Sequence, residues 1–73
     1  MKQIIMDPKI LGGKPIIEGT RISVEFILEL LSSGMSIDDI LLEYSHLKKE
    51  DILGAIGYAA KFMKHEELVA LKT

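Results

Sequence analysis

The sequence predicts a small, mainly α domain, a three-helix, helix-turn-helix-like bundle behind a short N-terminal β arm or ribbon. Three observations carry this reading. Glycine and proline break the apolar pieces of residues 1–22 into short extended segments, apolar residues recur at helical spacing from Ser23 onward, and serines and a glycine stand where helices should start and stop. A chain of 73 residues makes one domain. Within it, residues 1–22 form the arm and its turns, 23–62 the helix-turn-helix core and 63–73 a C-terminal helical tail.

In the arm, Asp7-Pro8, Gly12-Gly13, Pro15 and Gly19 interrupt Ile4-Ile5, Ile10-Leu11, Ile16-Ile17 and Ile22. That density of breakers excludes helix and leaves short strands whose edges a second copy would satisfy. The first helix, about 23–33, follows from Ser23 as N-cap, from Val24, Ile27, Leu28 and Leu31 at helical spacing, and from Gly34 as its stop. Ser36 caps a second helix over 37–44 with the stripe Ile37, Ile40, Leu41 and Tyr44, and Asp38 and Asp39 suit the positive end of its dipole. A third helix, about 48–70, shows the longest stripe, Ile52, Ala55, Ile56, Ala59 and Met63. Its interior Gly54 and Gly57 each cost roughly 0.5–1 kcal/mol relative to Ala.

Hydrophobic residues form 48% of the chain but aromatics only 5%, so the core must be aliphatic. With no Cys, disulfides and thiolate zinc sites are excluded, and His46 and His65 share no ligand-type spacing. No metal or cofactor is expected, and oligomerisation is the staple left for so small a core. The net charge of −2 argues against a polycation that coats nucleic acid or membrane. The average conceals a division: residues 1–22 carry +2, 23–47 carry five acids and no base, and 48–73 carry +1. No apolar run approaches the ~20 residues of a membrane span, and Met1–Met6 lacks a signal-peptide run, so a soluble cytoplasmic protein is expected.

The tight connection Ser45–Leu47 between the second and third helices has the proportions of a helix-turn-helix, whose last helix enters the DNA major groove. Lys48 and Lys49 at its start suit phosphates or guanine edges, while Glu50 and Asp51 oppose them. Gly12-Gly13-Lys14-Pro15 is not a phosphate loop, because Pro8 stands where its first Gly belongs and Pro15 where the metal-binding hydroxyl belongs. It reads as a tight turn. Gly19-Thr20-Arg21 places a hydroxyl and the only arginine just before a helix; Arg21 either clamps DNA or pairs with Glu25 or Glu18. No nucleophile–base motif surrounds His46 or His65, and Val69 stands where a zinc-protease helix needs its second His, so no catalytic residue is expected.

The ordered string Asp7-Pro8, Gly12-Gly13-Lys14-Pro15-Ile16-Ile17, Gly19-Thr20-Arg21-Ile22-Ser23-Val24, Gly34-Met35-Ser36, Ile40-Leu41, Tyr44, Glu50-Asp51-Ile52, Ala55 and Tyr58-Ala59 resembles the domain-of-unknown-function 433 family over about residues 3 to 62. That family is regarded as predicted antitoxins. The resemblance implies a homeodomain-like helix-turn-helix behind a β segment, dimerisation, and a neighbouring gene for a PIN-like ribonuclease. Ser45 stands where members often have Pro, and Lys48 where a Thr cap worth ~1 kcal/mol is frequent. Residues 63–73 lie outside the resemblance and inherit nothing from it.

The expected function is therefore a type II antitoxin: a homodimer that binds operator DNA through Lys14, Thr20, Arg21, Lys48 and Lys49, and neutralises a PIN-like toxin through Phe62, Leu68, Val69 and Leu71. These last residues are large, apolar and beyond the stripe that packs the bundle. The alternative is a dimeric protein-interaction adaptor without DNA binding, which the acidic middle segment favours.

Overall fold

Strands β1 (Ile4–Met6) and β2 (Pro15–Ile17) pair antiparallel, with Ile4 opposite Ile17, Ile5 opposite Ile16 and Met6 opposite Pro15. The computed structural model describes the backbone of residues 2–72 and the side chains of residues 2–64. Pro15 has no N–H to give a ladder, and it stands at the first position of its strand, where that loss is tolerated. The far side of β2 is closed by a bridge between Ile16 and Ser23, with the Ile17 N–H donating to the Ile22 carbonyl at 2.9 Å. Among the described residues the far side of β1 carries no backbone hydrogen bond. The expectation of no helix in this arm is corrected by one 3-10 turn at Leu11–Gly13, where Gly12 and Gly13 take positive φ at no steric cost.

Three helices follow: α1 (Val24–Ser32), α2 (Ile37–Glu43) and α3 (Lys49–Lys72). The Ser23 hydroxyl accepts from the Phe26 N–H at 2.9 Å and starts α1 as its spacing predicts. Gly34, at φ +103°, ends it in a full Schellman motif: its N–H donates to the Leu31 carbonyl, and the Met35 N–H to that of Leu30. At α2 the Ser36 cap is reciprocated, because Asp39 accepts from the Ser36 N–H at 3.0 Å while its own N–H donates to the Ser36 hydroxyl at 3.1 Å. Asp39 is thus a capping-box partner as well as a charge at the dipole. The Ser36 bonds hold its carboxyl below the ordinary value of 3.8.

The core is aliphatic, as composition requires. Its largest fully buried side chains are five isoleucines, Ile16 and Ile17 from β2, Ile27 from α1, Ile40 from α2 and Ile52 from α3. Ala55, also fully buried, keeps the α3 face thin where helices approach. Two stripe residues depart from expectation: Leu28 is 37% exposed and Met63 is 60% exposed. Leu28 lies at the edge of the α1 stripe, whose buried centre is Val24 and Ile27; for Met63 the reason is length. At 1.5 Å per residue α3 spans about 36 Å and α1 only about 13 Å, so α3 outruns the elements that cover it. Among the described residues no helix is long and apolar enough to cross a membrane.

Two glycines should respond in opposite directions to the same change. A Cβ at Gly57 meets no atom within 4 Å, so Gly57→Ala should raise stability by about 0.5–1 kcal/mol through helix propensity alone. Gly34→Ala forces a side chain to φ +103° and should lower stability by about 1 kcal/mol or more. Urea denaturation of both variants checks the pair.

Candidate functional site

The start of α3 is organised by one buried carboxylate. Asp51, 3% exposed, accepts from the Lys48 N–H at 2.9 Å and from the Lys2 N–H at 3.2 Å, with the Lys2 ammonium 3.9 Å away. This is the inner half of a capping box: Lys48 supplies no side-chain cap, yet the third residue of the helix still reaches back to satisfy its N–H. Burial pushes the Asp51 carboxyl up, but the bonds from Lys48 and Lys2 and the Lys2 charge together outweigh it and hold the pKa below 3.8. Of the two acids that oppose DNA at this helix start, only Glu50 therefore remains on the surface beside exposed Lys48 and Lys49.

The turn before α3 is closed by the Leu47 N–H donating to the Tyr44 carbonyl at 2.9 Å, with the Leu47 side chain buried. The Lys2 ammonium also donates to the His46 carbonyl at 2.9 Å, tying the N-terminal arm to this turn.

The other DNA candidates lie elsewhere. Lys14 and Arg21 line one groove beside the start of α1, a groove that includes neither Lys48 nor Lys49. Lys14 pairs with Glu25 at 2.7 Å, and that bond raises the lysine pKa above 10.5, helped by Glu29. Arg21 is exposed and, among the described residues, makes neither the Glu25 nor the Glu18 pair; Glu25 is taken by Lys14, and Glu18 accepts from the Gln3 N–H. The Thr20 hydroxyl donates to the Ile17 carbonyl at 2.7 Å and accepts from the Ile22 N–H at 2.9 Å. Its one proton is engaged inside the turn, which thereby presents Arg21.

Phe62 is 67% exposed, stacks at a tilt on Tyr58 with centroids 5.0 Å apart, and lines a second groove with Leu28 and Ala59 between α1 and α3. Leu68, Val69 and Leu71, the other expected partner contacts, lie outside the described side chains.

Two features escaped sequence reasoning. Leu11, a non-glycine residue, sits at φ +51°, a conformation that costs about 1–2 kcal/mol, and its side chain stays 44% exposed. Phe26 and Tyr44 meet edge to face at 5.9 Å and 89°. The i, i+3 capping relation of Lys48 and Asp51 was visible as spacing; nothing in the order of residues marked the strain at Leu11.

The family model described as Protein of unknown function (DUF433) matches residues 4–59. The chain belongs to this family. The DUF433 match takes in both strands, α1, α2 and the first half of α3, including Arg21, Lys48 and Asp51, and leaves Phe62 outside. Searches of curated proteins and of solved structures returned no significant match.

A depressed carboxylate pKa stabilises the fold above the unfolded value, and that contribution is lost as pH falls through the folded value. For Asp51 the window lies at and below pH 3.8. Asp51→Asn should cost about 1–3 kcal/mol at pH 7, since it gives up the charge and leaves a backbone donor short of a partner. Stability profiles of the two proteins from pH 7 down to about 2 should converge through that window.

Proposed function

We propose that the protein is a type II antitoxin that binds operator DNA as a homodimer and neutralises a PIN-like ribonuclease by direct contact. One observation carries the DNA half: the α2–turn–α3 unit exposes Lys48 and Lys49 at the start of α3 while Asp51 is drawn inward and bonded. In a helix-turn-helix the first residues of the last helix face base edges and phosphates, so the charge presented there sets the sign of the encounter. Here two lysines outnumber one exposed glutamate. The open edge of β1 supports a second copy, and two copies supply the two half-site readers of a palindromic operator. The resemblance to predicted antitoxins supports the toxin contact, and exposed Phe62 offers an apolar anchor for it.

A dimeric adaptor without DNA binding is the second reading. It is favoured by the exposed acids Asp38, Asp39 and Glu43 on α2, which repel a phosphate backbone laid across that helix. Salt dependence separates the two. Affinity for the DNA upstream of the protein's own gene should fall steeply with salt, and Lys48→Ala with Lys49→Ala should flatten the log-log slope by about 0.9 for each phosphate that is no longer neutralised. Fluorescence anisotropy over a salt series measures it; no binding to any upstream fragment at low salt, with or without a partner protein, decides for the adaptor. Sedimentation should show a dimer at tens of micromolar, and a monomer there would remove the β1 edge as a self-interface.

A further inference from the structure

We propose that the groove between the Leu11–Gly13 turn, the Thr20–Ile22 turn and the α1 face is a docking site for a protein segment that carries a large apolar side chain next to a carboxylate. It is separate from the α3 surfaces invoked above and depends on neither of them.

The groove encloses about 520 Å³. Its apolar wall comes from Leu11, Ile22, Phe26 and Tyr44, with Lys14 and Arg21 as its cations. Two specially built turns supply its rim. Leu11, Gly12 and Gly13 follow one another at φ +51°, +66° and +86°, which sets the Leu11 side chain on the groove while leaving it 44% exposed. A strained backbone thus holds a large apolar side chain that stays partly open to solvent, and residues held in such conformations cluster at binding surfaces. On the other rim, Gly19 at φ +77° and the two Thr20 hydroxyl bonds form the turn from which Arg21 emerges.

Charge specifies the occupant. Lys14 is neutralised by Glu25 at 2.7 Å, with Glu29 close enough to add to the attraction. Arg21 has no ion-pair partner among the described residues, so the groove presents one unpaired guanidinium beside an apolar wall, with the Glu29 carboxylate, likewise outside any ion pair, on the same lining. A planar guanidinium binds a carboxylate with two parallel hydrogen bonds, and Tyr44, whose hydroxyl makes no hydrogen bond among the described residues, is among the lining residues. Glu25 and Glu29 also line it, which disfavours a polyanionic DNA backbone far more than a single carboxylate held at Arg21. A sugar-phosphate chain moreover has no large apolar group to lay against Leu11 and Phe26.

The test uses the full-length, isotope-labelled protein and two synthetic peptides, acetyl-Gly-Leu-Phe-Glu-Gly-amide and its Glu-to-Gln counterpart. Amide resonances of Ile22, Phe26 and Tyr44 should shift saturably with the first peptide, and both the Gln peptide and Arg21→Gln should weaken binding by about tenfold or more. Leu11→Gly should raise the melting temperature by relieving positive φ and at the same time weaken binding, a pairing that a purely structural role for Leu11 does not produce. Absence of shifts at millimolar peptide, or equal affinity of both peptides, overturns the proposal. So does loss of DNA affinity in Arg21→Gln without peptide binding, which assigns the arginine to DNA. Peptide binding that persists where no DNA binding is found leaves the groove standing while removing the operator reading.

Discussion

The placement of the start of α3, and with it the display of Lys48 and Lys49, depends on the Asp51 carboxylate. It is buried, it lies one turn into the longest helix, and its partners come from opposite ends of the fold, residue 2 and residue 48. An isolated carboxylate in that place would be costly, and two backbone donors with a nearby ammonium make it tolerable. The consequence is geometric as well as energetic. Lys2 binds Asp51 with its backbone and the His46 carbonyl with its side chain, so the arm holds both the start of α3 and the turn before it. Ser45, in a place where a proline would stiffen the chain, is thus flanked by a turn held from outside.

Elements were legible in the sequence wherever a boundary has a local chemical cause. Ser23, Gly34 and Ser36 each act through a hydrogen bond or a backbone conformation that depends on the residue itself, and each stands where its type predicts. Burial was legible only as far as neighbours exist. Met63 keeps helical phase with the buried stripe yet faces solvent, because phase says which side a residue is on and not how far the covering element extends. The candidate site was less legible still. Lys14 and Thr20 carry groups suited to DNA, but the lysine charge and the threonine proton are both engaged within the chain, a fact of distance that residue type does not contain.

The division of charge along the chain has a structural counterpart. The basic arm folds against the acidic helices, and the Lys14–Glu25 pair crosses that boundary. Both side chains are more than half exposed, so the pair contributes little to stability. Its larger effect is on what remains unpaired: with Glu25 engaged, Arg21 faces outward beside apolar surface, and with Asp51 engaged, Lys48 and Lys49 are opposed by Glu50 alone. In both places an internal ion pair engages an acid that would otherwise stand beside an exposed cation.

A domain of this size has little stability to lose, since folding of small chains buries a modest share of their surface and net stabilities are only about 5–15 kcal/mol. Against that margin the chain keeps three unfavourable features: a left-handed leucine, an unfilled helical glycine at Gly57, and a carboxylate inside the core. None is required by the packing of the five isoleucines. Asp51 offsets its cost by aligning the helix start that carries the lysines, and Leu11 sits on the wall of the groove that holds Arg21. Departures from local preference fall where a fold serves something beyond itself, and here they fall on two separate faces. The open side of α3 at Gly57 adds a third, next to the β1 edge and lined by Lys2, Ile4 and Tyr58. Three such faces on one small core are what the proposed contacts with DNA, a partner and a second copy would require.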